Sequence, residues 1–327
     1  MRLPKFKHLQ PESLDEAVGL LAEHGRDARV NAGGTDLLVS MKQGLLAPRY
    51  VINLKEIPGL AGVTYDEKGL RIGALTQLAT LVRSPEVGEH FSLIAQAARS
   101  VAAPPLRAMG TLGGNLCQDT RCFYYNQSEF WREARPACFK LGGAVCHAIS
   151  GSDHCRAAYQ GDLAPVLIAL EARVRLASQR GERTVPLVEL YTGKGEKPIG
   201  LRPDEVLTEI QVPRPAGAWG GDYQKLRYRG AMDYALVGVA AVLSRNGERA
   251  RVKIVATAIA SAPVVMEAAG RLLEGAEIDE EIAAQAAQAA YEAAHPVAAI
   301  GSTPLYRRNM VRVLTRRALT RAWGGEG

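Results

Sequence analysis

A chain of 327 residues, 47% apolar and free of long low-complexity runs, has enough material for two or three packed domains. No run of eighteen apolar residues is free of charge, and MRLPKFKHLQPESLDEAV contains no apolar segment of signal-peptide length, so the expectation is a cytoplasmic protein with no membrane span. The formal charge of +6 is dispersed among 34 acidic residues, which argues against a nucleic-acid surface, and five cysteines without a secretory signal favour metal or redox chemistry over a disulfide framework.

In chain order, residues 14–23 (LDEAVGLLAE) have helical spacing, 28–32 read as a strand, Gly33-Gly34 as a turn and 36–41 as a helix. Strands are expected at 50–54 and 70–74, then a helix over 92–101 that the breaker pair Pro104-Pro105 ends. A second glycine turn, TLGGN at 111–115, leads into a stretch from Cys117 to about Tyr159 of different character. It holds all five cysteines, seven aromatics and no regular period, as expected of an irregular insertion held by something other than a core. Regular structure resumes with a helix over 163–170, a strand over 172–176, a loop rich in Gly, Lys and Pro at 192–203 and a strand over 205–212. Residues 213–221 (PRPAGAWGG) form the candidate linker. Beyond it come an alternating segment at 222–229, a helix-compatible run at 236–243, a strand at 252–258 and Ala-rich helices within 264–294, together a separate α+β unit. Among the C-terminal arginines Arg307, Arg308, Arg312, Arg316, Arg317 and Arg321, three recur every four residues beside Met310, Val313, Leu314 and Ala318. That pattern predicts a helix with an apolar face inward and a basic face toward solvent or another subunit.

The two Gly-Gly segments, about eighty residues apart, are the main functional signal. Glycine permits positive φ and lets backbone N–H groups approach an anion with no Cβ in the way. Gly33 and Gly34 precede a predicted helix, so its first turn and the Thr35 hydroxyl face a phosphate; Thr111, Gly113, Gly114 and Asn115 supply an opposing wall. A diphosphate between two such turns points to a dinucleotide, although neither matches a Rossmann fingerprint or a P-loop.

NAGGTDLL at 31–38, followed by TLGGN, resembles the FAD-binding subunit or domain of the xanthine dehydrogenase and carbon monoxide dehydrogenase family of molybdenum hydroxylases. The resemblance implies an α+β chain: a two-subdomain FAD-binding domain of the vanillyl-alcohol-oxidase/PCMH type over 1–215 (subdomains about 1–57 and 58–215, with the cysteine-rich insertion at about 117–159), then a C-terminal α+β domain over 220–327 like that of carbon monoxide dehydrogenase flavoproteins. It further implies that Asn31, Ala32, Gly33, Gly34, Thr35 and Asp36, with Thr111, Gly113, Gly114 and Asn115, cradle the FAD diphosphate. Asp162 is implied near the ribose or adenosine and Lys225 near the isoalloxazine; their plainer readings are a helix N-cap and a solvated strand charge.

Four thiolates suit zinc or an iron–sulfur cluster. The CxxC knuckle usual for zinc is absent, although His147 and His154 could serve as nitrogen ligands. TLGGNLCQDTRC, then YNQSEFWR and YQGDLAPVLIAL, looks like the β subunit of 4-hydroxybenzoyl-CoA reductases, whose inserted loop carries a 4Fe-4S cluster beside the FAD. By that likeness Cys122, Cys138, Cys146 and Cys155 are the ligands, and Cys117 lines the FAD side. The likeness also implies partners: a molybdopterin-binding large subunit and a small subunit with 2Fe-2S clusters, in a dimer of heterotrimers, with ferredoxin or a similar donor. No catalytic residue is assigned to this chain, since substrate chemistry falls to the molybdenum subunit. The competing expectations are the FAD/4Fe-4S subunit of a molybdenum aldehyde oxidoreductase, a self-contained flavin oxidase, and a zinc-stapled scaffold subunit.

Overall fold

The computed structural model describes residues 2–246, 249–276, 279–299 and 301–324, arranged as three sheets with helices between and over them, an α+β fold. The first sheet is parallel, in the order β1 (Lys7–Leu9), β3 (Tyr50–Asn53), β2 (Ala28–Asn31). The helix Leu14–His24 crosses from β1 to β2. Ser13 caps it by accepting from the Glu16 N–H, Asp15 and Glu16 stand in its first turn, and Gly25 stops it at φ 51°. Ala17, Val18 and Leu21 recur at helical spacing and bury against Ala28 and Ile52, each large apolar side chain contributing about 1.5–3 kcal/mol.

The second sheet is antiparallel throughout: β4 (Val63–Asp66), β5 (Gly69–Gly73), β8 (Val206–Pro213), β6 (Arg173–Ser178) and β7 (Gly181–Pro186), in that order. Its central strands send Leu70, Ile72, Val174, Leu176, Ile210 and Val212 into the largest core. Opposite lie Ile94 of the helix Ser92–Ser100, Leu112 of the short helix Leu112–Leu116, and the fully buried helix Leu163–Ala169. The third sheet is an antiparallel meander of β9 (Ala218–Leu226), β10 (Val237–Asn246), β11 (Arg249–Thr257) and β12 (Val264–Val265). The helices Glu267–Leu273, Glu280–Ala293 and Pro304–Gly324 cover one face of it.

Several expectations change. Residues 236–243 form most of β10 rather than a helix: Val237, Val239, Ala241 and Leu243 enter the C-terminal core while Ala240 and Val242 enter the large one. A strand buried on both faces loses its polar alternation and reads like a buried helix. The linker is shorter than expected, because β9 already begins at Ala218; a Cβ on Gly220 would stand 2.5 Å from the Ala322 carbonyl oxygen, so these glycines serve close packing. Pro104 and Pro105 start a helix, Pro104–Met109, in the first-turn positions where the missing N–H costs nothing. The Ala-rich region divides into β12 and two helices, with residues 277 and 278 outside the described residues, as are the last three residues of the expected C-terminal unit. On the last helix Val311, Leu314 and Ala318 are buried, but so is Arg307, the first of the C-terminal arginines. Its guanidinium donates to the carbonyls of Leu236, Ala258 and Val297 and so pins that helix to the third sheet. Among the described residues, no helix is long and apolar enough to cross a membrane.

Candidate functional site

The two glycine segments meet. A Cβ on Gly33 would lie 2.2 Å from the Met109 carbonyl oxygen and 2.9 Å from Gly110 Cα, so only glycine lets the chain leaving β2 pass against the end of the helix Pro104–Met109. Of the four glycines only Gly34 has positive φ, at 74°. The second segment is no turn: Thr111 caps the helix Leu112–Leu116, its hydroxyl accepting from the Gly114 N–H at 3.2 Å. Gly113 faces away from the other glycines. Its N–H donates to the Ala74 carbonyl at 2.8 Å, and a Cβ there would meet the Ala74 side chain at 2.9 Å.

Between the segments lies a cleft open to solvent. Thr35 and Asp36 of the first segment line it together with Gly110, Thr111, Gly114 and Asn115 of the second. Leu78, Val101, Ala102 and Leu106 are apolar; Gln118, Gln160, Asp162 and the loop Met232, Asp233 and Tyr234 complete it. Asn31, at the end of β2, and Asn115 each have a buried side-chain oxygen with no hydrogen-bond partner, and Ala32 is half-buried where β2 passes into Gly33. A cleft lined by the backbone at Gly110 and Gly114 and by the Thr35 hydroxyl fits the diphosphate end of a dinucleotide, and the unpartnered Asn115 oxygen is left to accept from a ligand hydroxyl.

Asp162 and Lys225, expected at separate parts of the ligand, are in contact. Lys225 Nζ stands 2.8 Å from Asp162 Oδ2, both side chains are 5% exposed, and the Tyr223 hydroxyl donates to Asp162 Oδ1 at 2.7 Å. Lys225 also donates to the Ser100 carbonyl at 3.1 Å. Neither plainer reading holds: Asp162 sits at the N-cap position of the helix Leu163–Ala169 but makes no capping bond, and Lys225 is buried. The two expected positions are thus brought together, with Asp162 lining the cleft and Lys225 behind it. Burial pushes the Asp162 carboxyl up, against the pull of Lys225 and the Tyr223 hydroxyl.

Asp36 likewise leaves its helix uncapped. Its carboxylate accepts from the guanidinium of Arg121 on one oxygen and from the Asp119 N–H, at 3.2 Å, on the other. Arg121 in turn lies 4.7 Å from the ring centroid of Tyr234. The wall of the cleft is therefore tied to the start of the cysteine insertion one residue before Cys122.

That insertion is mostly loop, with one helical turn at Glu129–Glu133 and a 3-10 turn at Phe139–Leu141. Cys122, Cys138, Cys146 and Cys155 line one recess, together with Tyr124, Tyr125, Lys140 and His147. Burial raises the Cys122 thiol, with Cys146 and Cys138 near enough to add to the rise, and burial pushes Cys155 up to about 11. The donor set fits a soft metal or a cluster, since four sulfurs face one space. Among the described residues no three His, Cys, Asp or Glu side chains stand at metal-binding separation, so the thiols converge without closing into a ligand set. His147 Nε2 lies 2.8 Å from the Pro136 carbonyl, and His154 pairs with Asp153 rather than turning to the thiols. Cys117 does not border the cleft: it packs on the large core beside Tyr159 and Tyr191, and burial pushes its thiol up to about 12.

Sequence reasoning missed Arg121, Lys140 and Tyr234. Arg121 and Lys140 are cations flanking predicted ligands, the one signal available; nothing in the sequence marks Tyr234.

Comparison with known proteins adds the following. Residues 4–215 match the FAD binding domain in molybdopterin dehydrogenase, and residues 222–322 match the CO dehydrogenase flavoprotein C-terminal domain. The carbon monoxide dehydrogenase medium chain of Hydrogenophaga pseudoflava is 31% identical, over 98% of both chains. The aldehyde oxidoreductase FAD-binding subunit PaoB of Escherichia coli is 30% identical, over 85% of this chain and 87% of that one. The solved structure of the Hydrogenophaga pseudoflava carbon monoxide dehydrogenase superposes with a TM-score of 0.82 at 30% identity, covering 99% of each chain. Quinoline 2-oxidoreductase from Pseudomonas putida gives 0.79 at 26%, with the same coverage.

Proposed function

This chain belongs to the FAD-binding medium subunits of the molybdenum hydroxylase family, and from that premise we propose that it relays electrons between a 4Fe-4S cluster in its cysteine insertion, its own FAD and the redox centres of partner subunits. The coarser role is that of the family: an FAD-binding, electron-transferring subunit of an oxidoreductase. The observation that carries the finer one is the convergence of Cys122, Cys138, Cys146 and Cys155 on a recess tied to the cleft through Arg121 and Asp119.

In this reading the backbone from Ala32 to Asp36, with Thr111, Gly114 and Asn115, holds the FAD diphosphate, and the buried Asn31 oxygen, an acceptor, is free for a hydroxyl of the same ligand. The Asp162–Lys225 pair meets one portion of the flavin nucleotide, and Tyr234 closes the side nearest Arg121. Gly113 and Cys117 support this wall from behind. When bound, FAD exchanges electrons singly or in pairs, whereas an iron–sulfur cluster passes one. The chain's residues would hold the two groups at sites joined through Asp36, Arg121 and Asp119. The proposed division is a FAD-binding domain over 1–215 and a C-terminal domain over 220–327.

For the whole enzyme the reading is a 4-hydroxybenzoyl-CoA reductase, supported by the cysteine spacing after TLGGN. A cytoplasmic dimer of heterotrimers would take electrons from ferredoxin, and a molybdopterin-binding large subunit, reached through a small 2Fe-2S subunit, would remove the phenolic hydroxyl. Relatives that are the medium chains of their enzymes support such an assembly. A molybdenum aldehyde oxidoreductase is the second reading, supported by the likeness to PaoB.

The test is an anaerobic ultraviolet–visible spectrum of the purified chain or complex, with iron, zinc and FAD quantified on the same sample. Flavin with about four irons per FAD from this subunit supports the relay. Flavin without iron sinks the cluster and leaves the family role. Iron-free flavin protein that turns over a substrate unaided would indicate a flavin oxidase, and zinc without flavin a stapled scaffold.

A further inference from the structure

We propose that Lys140 is a fixed positive charge that raises the reduction potential of the cluster in the cysteine recess; this rests on the iron–sulfur reading above. Lys140 follows Cys138 by two residues and lines the recess with all four cysteines, its side chain only 3% exposed. Its ammonium is locked. Nζ stands 2.6 Å from Asp119 Oδ1, 2.5 Å from Thr120 Oγ1 and 2.8 Å from the Gly195 carbonyl, so all three N–H donors are used, and the Tyr125 ring centroid lies 5.0 Å away.

The platform beneath the ammonium is built against one thiol. A Cβ on Gly195 would stand 2.8 Å from Cys155 Sγ, so the glycine brings the Lys140-bound backbone directly beneath that sulfur. The ion pair with Asp119 reduces the cation's field at the recess only in part: Asp119 is 34% exposed and partly screened by water, while the cation lies inside the protein. A cluster held by four thiolates gains one negative charge when it accepts one electron, and a buried cation beside it stabilises that reduced form. Because Asp119 also donates its N–H to Asp36 on the cleft wall, the residue holding the cation is anchored to the flavin site.

The experiment is a potentiometric titration of the full chain or complex, with the reduced cluster followed by electron paramagnetic resonance and iron and FAD counted in each sample. Lys140→Met is expected to keep iron and FAD while the cluster potential moves negative. Asp119→Asn, which removes the countercharge and leaves the cation, is expected to move it positive. Opposite shifts from the two partners of one ion pair are a signature that a merely structural role does not produce. Unchanged potentials, or shifts of the same sign, overturn the proposal. Should Lys140→Met lose its iron, Asp119→Asn decides alone: a positive shift supports the charge effect, and none overturns it. A parent protein with FAD but no iron overturns the cluster reading and this inference together, and leaves the family role standing.

Discussion

Lys225 and Asp162 lie 63 positions apart in sequence yet form an ion pair 2.8 Å long at the edge of the cleft, with both side chains almost wholly buried. The pair joins β9 of the third sheet to the first residues of the helix Leu163–Ala169, so it fixes the C-terminal unit against the FAD-binding one. Removing one partner strands the other. Lys225→Met is expected to lower stability by about 3–5 kcal/mol, the usual cost of an uncompensated buried charge, and the double variant Asp162→Asn/Lys225→Met to recover part of it. The pH dependence has a definite sign. Burial already raises the Asp162 carboxyl, and without Lys225 nothing opposes that rise except Tyr223 and Arg227. The folded variant then holds its proton at pH values where the unfolded chain, with an ordinary Asp near 3.9, has lost it, so its deficit is smallest in acid and grows with pH. Denaturant titrations of parent and variant between pH 4 and 8 measure this; a deficit that shrinks with pH would contradict it.

Gly33 is the tighter of the two glycine contacts. Gly33→Ala would push a methyl into the Met109 carbonyl at 2.2 Å, a backbone clash that no side-chain movement relieves, whereas Gly114→Ala meets only the Thr111 hydroxyl at 3.0 Å. Overpacking of this kind costs about 1–3 kcal/mol, and here it also separates the two walls of the cleft. Gly33→Ala is expected to purify with FAD strongly depleted and a lowered melting temperature, and Gly114→Ala with partial FAD loss. Equal FAD content in all three proteins would show that the walls need not touch.

What the sequence reveals of this chain depends on whether a residue's surroundings are local. The helix Leu14–His24 was legible because its cap, first-turn acids and apolar stripe all lie within a dozen residues. β10 was not, because the second face that makes it continuously apolar belongs to a helix some seventy residues earlier, Leu163–Ala169. The glycines were legible as close-approach points but not as what they approach: Gly113 packs on Ala74, Gly33 on Met109. Asp162 and Lys225 were picked out singly, and only the fold shows that they are one group. Arg307, Arg121 and Lys140 are ordinary surface residues to any compositional rule, and their burial follows from acceptors brought in from distant segments. Likeness singled out four of the five cysteines as a set, and the structure adds that they share one space.

Cys117 is expected to separate from the other thiols in reactivity. With its thiol pushed up to about 12 by burial, roughly one molecule in ten thousand carries the thiolate at pH 8, and the thiolate is the nucleophile. In the iron-free chain, iodoacetamide labelling followed by mass spectrometry is expected to modify Cys117 last. Its rate should keep rising tenfold per pH unit through pH 10, with no plateau. Early modification of Cys117 would mean that the wall behind Asn115 opens readily.

Arg121 tests whether flavin site and insertion form one folding unit. Arg121→Ala removes a charged hydrogen bond to Asp36 and the stacking on Tyr234, a loss of about 1.5–3 kcal/mol confined to the junction. The neighbouring Asp119 N–H contact to Asp36 survives that change, so the expected result is a loosened insertion with FAD retained: faster amide exchange over residues 119–158 and unchanged exchange over the helix Leu163–Ala169. Cys138→Ser probes the same junction from the other side, since it removes one sulfur from the recess without touching the cleft, and it should lose iron while keeping FAD. If both variants lose iron and flavin together, then the Asp36–Arg121 link is what holds the cleft open to its ligand, and the two sites fold as one.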